Sequence, residues 1–127
     1  RSVTFTFENK TIQQYKKYTG DLSGTEPALH AADTTVLTIQ PGVSTYRIPD
    51  GSAATYAIAT LTGLSANDEG RYITLLGEGT TKSATIAESA GFILKNGATW
   101  TAKSGSQIVF YVLDSSTLVE VSRVQTV

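Results

Sequence analysis

Val3, Phe5 and Phe7 alternate with Thr4 and Thr6 near the start of the chain, the period-2 pattern of a strand with one buried face. Short runs of similar character follow: TVLTI (35–39), STYRI (44–48), TYAIATL (55–61), RYITLLG (71–77), SATIAE (83–88), FIL (92–94), ATWTA (98–102), QIVFYVL (107–113) and TLVEVSRV (117–124). Between them stand Pro41-Gly42, Asp50-Gly51, Asn96-Gly97 and Asp114-Ser115-Ser116, which supply a positive φ or a side-chain-to-backbone bond where the chain reverses tightly. Closely spaced strands joined by such turns predict an all-β fold with antiparallel pairing. KTIQQYKKY (10–18) reads either as an edge strand or as a connector, and residues 19–35 form the longest predicted loop, with room for one helical turn at 27–32.

In 107–113, Ile108, Phe110 and Val112 occupy one face and Val109, Tyr111 and Leu113 the other. Apolar rows on both faces predict a central strand covered on both sides, hence a two-layer antiparallel β-sandwich of jelly-roll-like form. The predicted interior set is Phe5, Phe7, Ile73, Leu75, Ile86, Ile108, Phe110, Val112, Val119 and Val121. The organisation read from the pattern is an amino-terminal strand and connector (1–20) leading into one β-domain (21–127).

Composition sharpens this in three ways. Thr occurs 20 times and Ser 12 times while charged residues are only 17 %, which suits strands with a neutral, hydroxylated outer face. The formal net charge is -1 and the densest basic cluster is Lys16-Lys17, so a nucleic-acid partner is not expected. There is no Cys, which removes disulfides, thiolate metal sites and a cysteine nucleophile together. No apolar run reaches the roughly 18 to 20 residues that span a bilayer, so membrane insertion is not expected either.

Candidate chemistry is sparse. Gly77-Glu78-Gly79-Thr80-Thr81-Lys82-Ser83 resembles a phosphate-binding loop, yet Thr81 stands where a second glycine should precede Lys82, and a strand rather than a helix follows. It is read as a hairpin turn or strand connector. His30 has Asp33 close by, without a serine elbow to activate, and reads as a solvated loop histidine. Asp50, Asp68, Glu69, Glu78, Glu88, Asp114 and Glu120 are spread over turns and strand faces. Asn67-Asp68-Glu69 clusters oxygens in the manner of a calcium site but lacks the spacing of an EF-hand loop, so a plain turn is expected. No cofactor, metal or catalytic residue is assigned. Trp100 follows Asn96-Gly97, and an indole among hydroxyl and amide groups is one way to hold a sugar ring, with a core or subunit-interface ring as the alternative. The carbohydrate-binding candidates are Trp100, Asn96 and Lys103.

From Leu61 onward, the strand Gly70-Arg71-Tyr72-Ile73-Thr74-Leu75-Leu76, the Ala84-Thr85-Ile86 strand, KNGATW (95–100), GSQIVFYVLD (105–114) and LVEVSR (118–123) resemble the carboxy-terminal β-domain of phage tailspike and tail-fibre proteins. Leu118 stands where such sequences commonly carry an aromatic. The resemblance implies a non-catalytic homotrimerisation domain of the virion tail, contacting bacterial surface glycan outside the host. A free-standing carbohydrate-binding module of a secreted enzyme is the alternative.

Overall fold

The computed structural model describes residues 27–127; the expectations for Phe5, Phe7 and residues 1–20 fall outside them. Ten strands run in chain order: β1 (Ala28–Leu29), β2 (Val36–Thr38), β3 (Thr45–Ile48), β4 (Thr60–Thr62), β5 (Tyr72–Gly77), β6 (Thr85–Ile86), β7 (Phe92–Ile93), β8 (Trp100–Thr101), β9 (Gln107–Asp114) and β10 (Thr117–Val124). Two single 3-10 turns, Ala66–Asp68 and Lys95–Gly97, complete the regular structure of the described residues. The fold is all-β. Residues 27–32 hold β1 instead of a helical turn.

One sheet has six strands in the order β1-β3-β5-β9-β10-β7, and β2 with β4 and β6 with β8 form two-stranded sheets. From β1 to β9 the chain leaves the six-stranded sheet after each strand and returns with the next but one. Up to β5, strands of one sheet that are separated by a strand of another run in the same direction: β1 with β3, β3 with β5 and β2 with β4 are parallel, and further along so are β7 and β10. Only β5 with β9, β9 with β10 and β6 with β8 are antiparallel. The expected antiparallel pairing is thus corrected to a mixed pattern, foreign to a jelly roll. Turn residues mark where the chain reverses, not which strand it then pairs with.

All three sheets contribute to one core. Leu37, Ile48, Ile73, Leu75, Ile86, Phe92, Trp100, Ile108, Phe110, Val112 and Leu118 are completely buried and belong to a single cluster. Each such aliphatic or phenyl group contributes roughly 1.5–3 kcal/mol by leaving water. The predicted interior positions on β5, β6 and β9 are all among them. On β10 the expectation fails: Val119 is half-buried and Val121 is exposed, while Leu118 and Glu120 point inward. The register slips between Thr117 and Leu118 and again between Glu120 and Ser122. A β-bulge of this kind re-aims the side chains that flank it.

β9 is central, between β5 and β10, but the described residues cover it on one face only. Tyr111 and Leu113 on its other face are exposed. Among the described residues no helix is long and apolar enough to cross a membrane.

Candidate functional site

The glycine-rich segment joins β5 to β6, two strands of different sheets, so it is a connector and not a hairpin. Its glycines are there for closeness. A Cβ on Gly77 would lie 2.3 Å from the carbonyl oxygen of Lys103, and one on Gly79 would lie 2.2 Å from the Ser83 hydroxyl. Gly79 N–H donates to Ala102 O and Ser104 N–H to Gly79 O, which fastens the segment to the stretch after β8. Beyond it, the backbone N–H groups of Thr80, Thr81 and Lys82 converge on one carboxylate. Asp50 accepts from Thr80 N–H at 2.9 Å, Thr81 N–H at 3.4 Å and Lys82 N–H at 3.0 Å, and from the Thr80 hydroxyl at 2.8 Å. Successive amides that gather an anion in this way form the cradle that a phosphate would occupy in a nucleotide-binding loop. Here the anion is the chain's own side chain. The Thr80 hydroxyl, followed by the three amides, holds the Asp50 carboxyl below the usual carboxylate range.

The three carbohydrate candidates sit in different settings. Trp100 is fully buried in β8, paired with Ile86 across the two-stranded sheet, and its Nε1–H lies 3.5 Å from Val124 O. The indole offers no face to solvent, so the exposed platform drawn from its polar neighbours is corrected to a core ring. Period 2 makes the reason plain: Thr99 and Thr101 turn outward because Trp100 turns inward. Lys103 is half-buried beside the glycine-rich connector, bridged to Gly79. Asn96 is exposed at φ 56°, in the left-handed region, at the tip of the Lys95–Gly97 turn. With Lys95, Ala98, Glu120, Ser122 and Arg123 it lines a cleft of about 420 Å³.

The floor of that cleft is an ion pair invisible to strand patterning. The Glu120 side chain is wholly buried, and its carboxylate accepts from Arg123 Nε at 2.8 Å, Arg123 Nη2 at 2.8 Å and Lys95 N–H at 2.9 Å. Arg123 also donates to Ala98 O and Thr99 O, tying the 95–99 loop to β10. The guanidinium, more than any other contact, holds the Glu120 carboxyl below its usual range. A glutamate three residues before an arginine reads as a helical pair or as surface charge, and in a strand the two would face opposite sides. The bulge removes that objection.

Other candidates also take structural roles. His30 is buried rather than solvated: its Nε2–H donates to Thr34 O at 2.9 Å, and its ring stacks on Tyr56. Asp33 instead accepts from Ser52 N–H at 3.1 Å. Asp68 accepts from Ser65 N–H at 2.8 Å and from Arg71 at 2.7 Å, closing the turn at 66–68. Glu88 accepts from Leu94 N–H, Asp114 from Ser116 N–H in the β9–β10 turn, and Glu78 pairs with Arg47. No cluster of three metal-ligating side chains occurs among the described residues. No family model, curated protein or solved structure matches the chain.

Proposed function

We propose that this chain is a non-catalytic association and receptor-contact domain of a phage tail spike or fibre, a two-layer β-sandwich acting as a homotrimer at the bacterial surface. The observation that carries the reading is how its acidic residues are used. Asp33, Asp50, Asp68, Glu88, Asp114 and Glu120 each accept at least one backbone N–H, and so stitch turns and loops together. A carboxylate held by several hydrogen bonds, as Asp50, Asp68, Asp114 and Glu120 are, is a poor general acid or base, because the bonds stabilise its ionised form and hold it off the reacting atom. The two small sheets, sharing one core with the large one, supply the second layer of the sandwich.

In this reading glycan contact falls to the cleft around Asn96, where Lys95, Asn96 and Ser122 offer donors at the rim and Arg123 braces the wall. Affinity comes from several copies engaging a repetitive polysaccharide together. The test is an array of bacterial surface polysaccharides probed with wild type and Asn96→Ala, with reducing ends measured in the same samples. Binding without release of reducing ends, weakened by Asn96→Ala, is expected. Release of reducing ends would reject the non-catalytic reading, and unchanged binding by Asn96→Ala would move the contact elsewhere.

A further inference from the structure

The outward face of the six-stranded sheet carries an apolar row set by strand register. Tyr72 on β5 lies opposite Tyr111 on β9, Tyr111 opposite Val119 on β10, and Val119 opposite Ile93 on β7. Leu113 extends the row along β9, and Val124, opposite Gln107, extends it along β10. These side chains are far from covered: Tyr72 is 57 % exposed, Leu113 and Val124 52 %, Tyr111 and Ile93 38 %. Tyr72 and Tyr111 meet edge to face with ring centroids 5.8 Å apart, which fixes both rings without hiding them.

We infer that this face is the surface on which a second copy of this chain seats, an inference that rests on the self-associating reading above. Size is the first argument. With roughly 150–200 Å² for a whole side chain of this kind, the exposed fractions leave on the order of 400 Å² of apolar surface. A specific interface buries about 800 Å² per partner, of which a little over half is non-polar, so the patch has the apolar content of one such interface. Charge is the second. On β5, β9 and β10 the other strand positions of the face, Thr74, Leu76, Gln107, Val109 and Ser122, carry no formal charge. A charged face repels its own copy and selects an opposite partner, whereas a neutral apolar face accepts itself. The Arg47–Glu78 pair borders this face, Arg47 on β3 opposite Leu76 and Glu78 just after β5, and limits the dry area to β5, β9, β10 and β7. Sheet geometry is the third, because sheet faces pack on one another at about 10 Å with interdigitating side chains.

The experiment is light scattering on the full chain across a concentration range, for wild type, Tyr111→Glu/Leu113→Glu and, independently, Tyr72→Lys. All three positions are exposed, so the monomer fold is retained, and circular dichroism checks it. Wild type is expected at a multiple of 13.5 kDa and both variants at 13.5 kDa with native spectra. Variants that keep the wild-type mass would overturn this face while leaving self-association standing through another. A wild type that stays at 13.5 kDa at every concentration would overturn both. The chain has no Cys, so maleimide labelling of Tyr111→Cys reports on that position alone. Protection of this thiol in a monomeric protein would give the face to residues 1–26 of the same chain and again overturn the proposal.

Discussion

Glu120 is the residue at which pattern and structure part company. Alternation along TLVEVSRV puts the apolar positions Val119 and Val121 on a common face, and by that logic the glutamate between them belongs outside. The molecule turns it inward because Arg123 and Lys95 N–H wait there, and because the bulge after Glu120 brings Arg123 back to the same side. Breaking such a pair is costly, since a carboxylate is left in an apolar setting with too few partners. Arg123→Ala is expected to destabilise the fold by about 3 kcal/mol, measured as a lowered urea midpoint. Arg123→Lys should recover only part of the loss, because an ammonium cannot bond both carboxylate oxygens and the carbonyls of Ala98 and Thr99 together.

At the scale of elements, the glycine-rich connector shows how a motif can look chemical for structural reasons. Gly77 and Gly79 are small because another backbone passes against them, and the amides after them converge because Asp50 fills their concavity. Gly77→Ala is expected to cost roughly 1–3 kcal/mol through overpacking against Lys103 O, read from thermal unfolding. β5 and β9 were legible in sequence, since their apolar rows are long enough for period 2 to speak. β4 was legible only in part, because TYAIATL first makes a single bridge from Ala57 to Thr85 and enters β4 only at its end. Parallel pairing was not legible at all: it is decided by which sheet the chain enters next, and no local turn residue encodes that. The exposed indole expected at Trp100 failed similarly, since the hydroxyls flanking it describe the outside of β8 and say nothing of the ring between them.

For the molecule as a whole, the ionisable groups define a pH window. Asp50, Asp68, Asp114 and Glu120 have pKa values lowered in the fold by hydrogen bonds, chiefly from the Thr80 hydroxyl, Ser65 N–H, Ser116 N–H and Arg123 respectively. A lowered folded pKa contributes stability that is present above the unfolded value of about 4 and is lost as pH falls through the folded one. Tyr46 and Tyr56 behave in the opposite sense: burial raises both, Tyr56 to about 12, so their contribution is present below the unfolded value and lost as pH climbs through the folded one. The melting temperature is expected to be level from about pH 5 to pH 9 and to fall on both sides, as differential scanning calorimetry would record; a decline beginning near neutrality would contradict these assignments. The alternation of strands between sheets reaches further, into the time the chain needs to find its fold. From β1 to β8 each pairing must wait for a segment that has first gone to another sheet and come back, so almost every loop closed on the way is long. Among the described residues only β9 and β10 are neighbours in both sequence and space. That hairpin is expected to form first, with the rest condensing on it slowly, as chains of high contact order do.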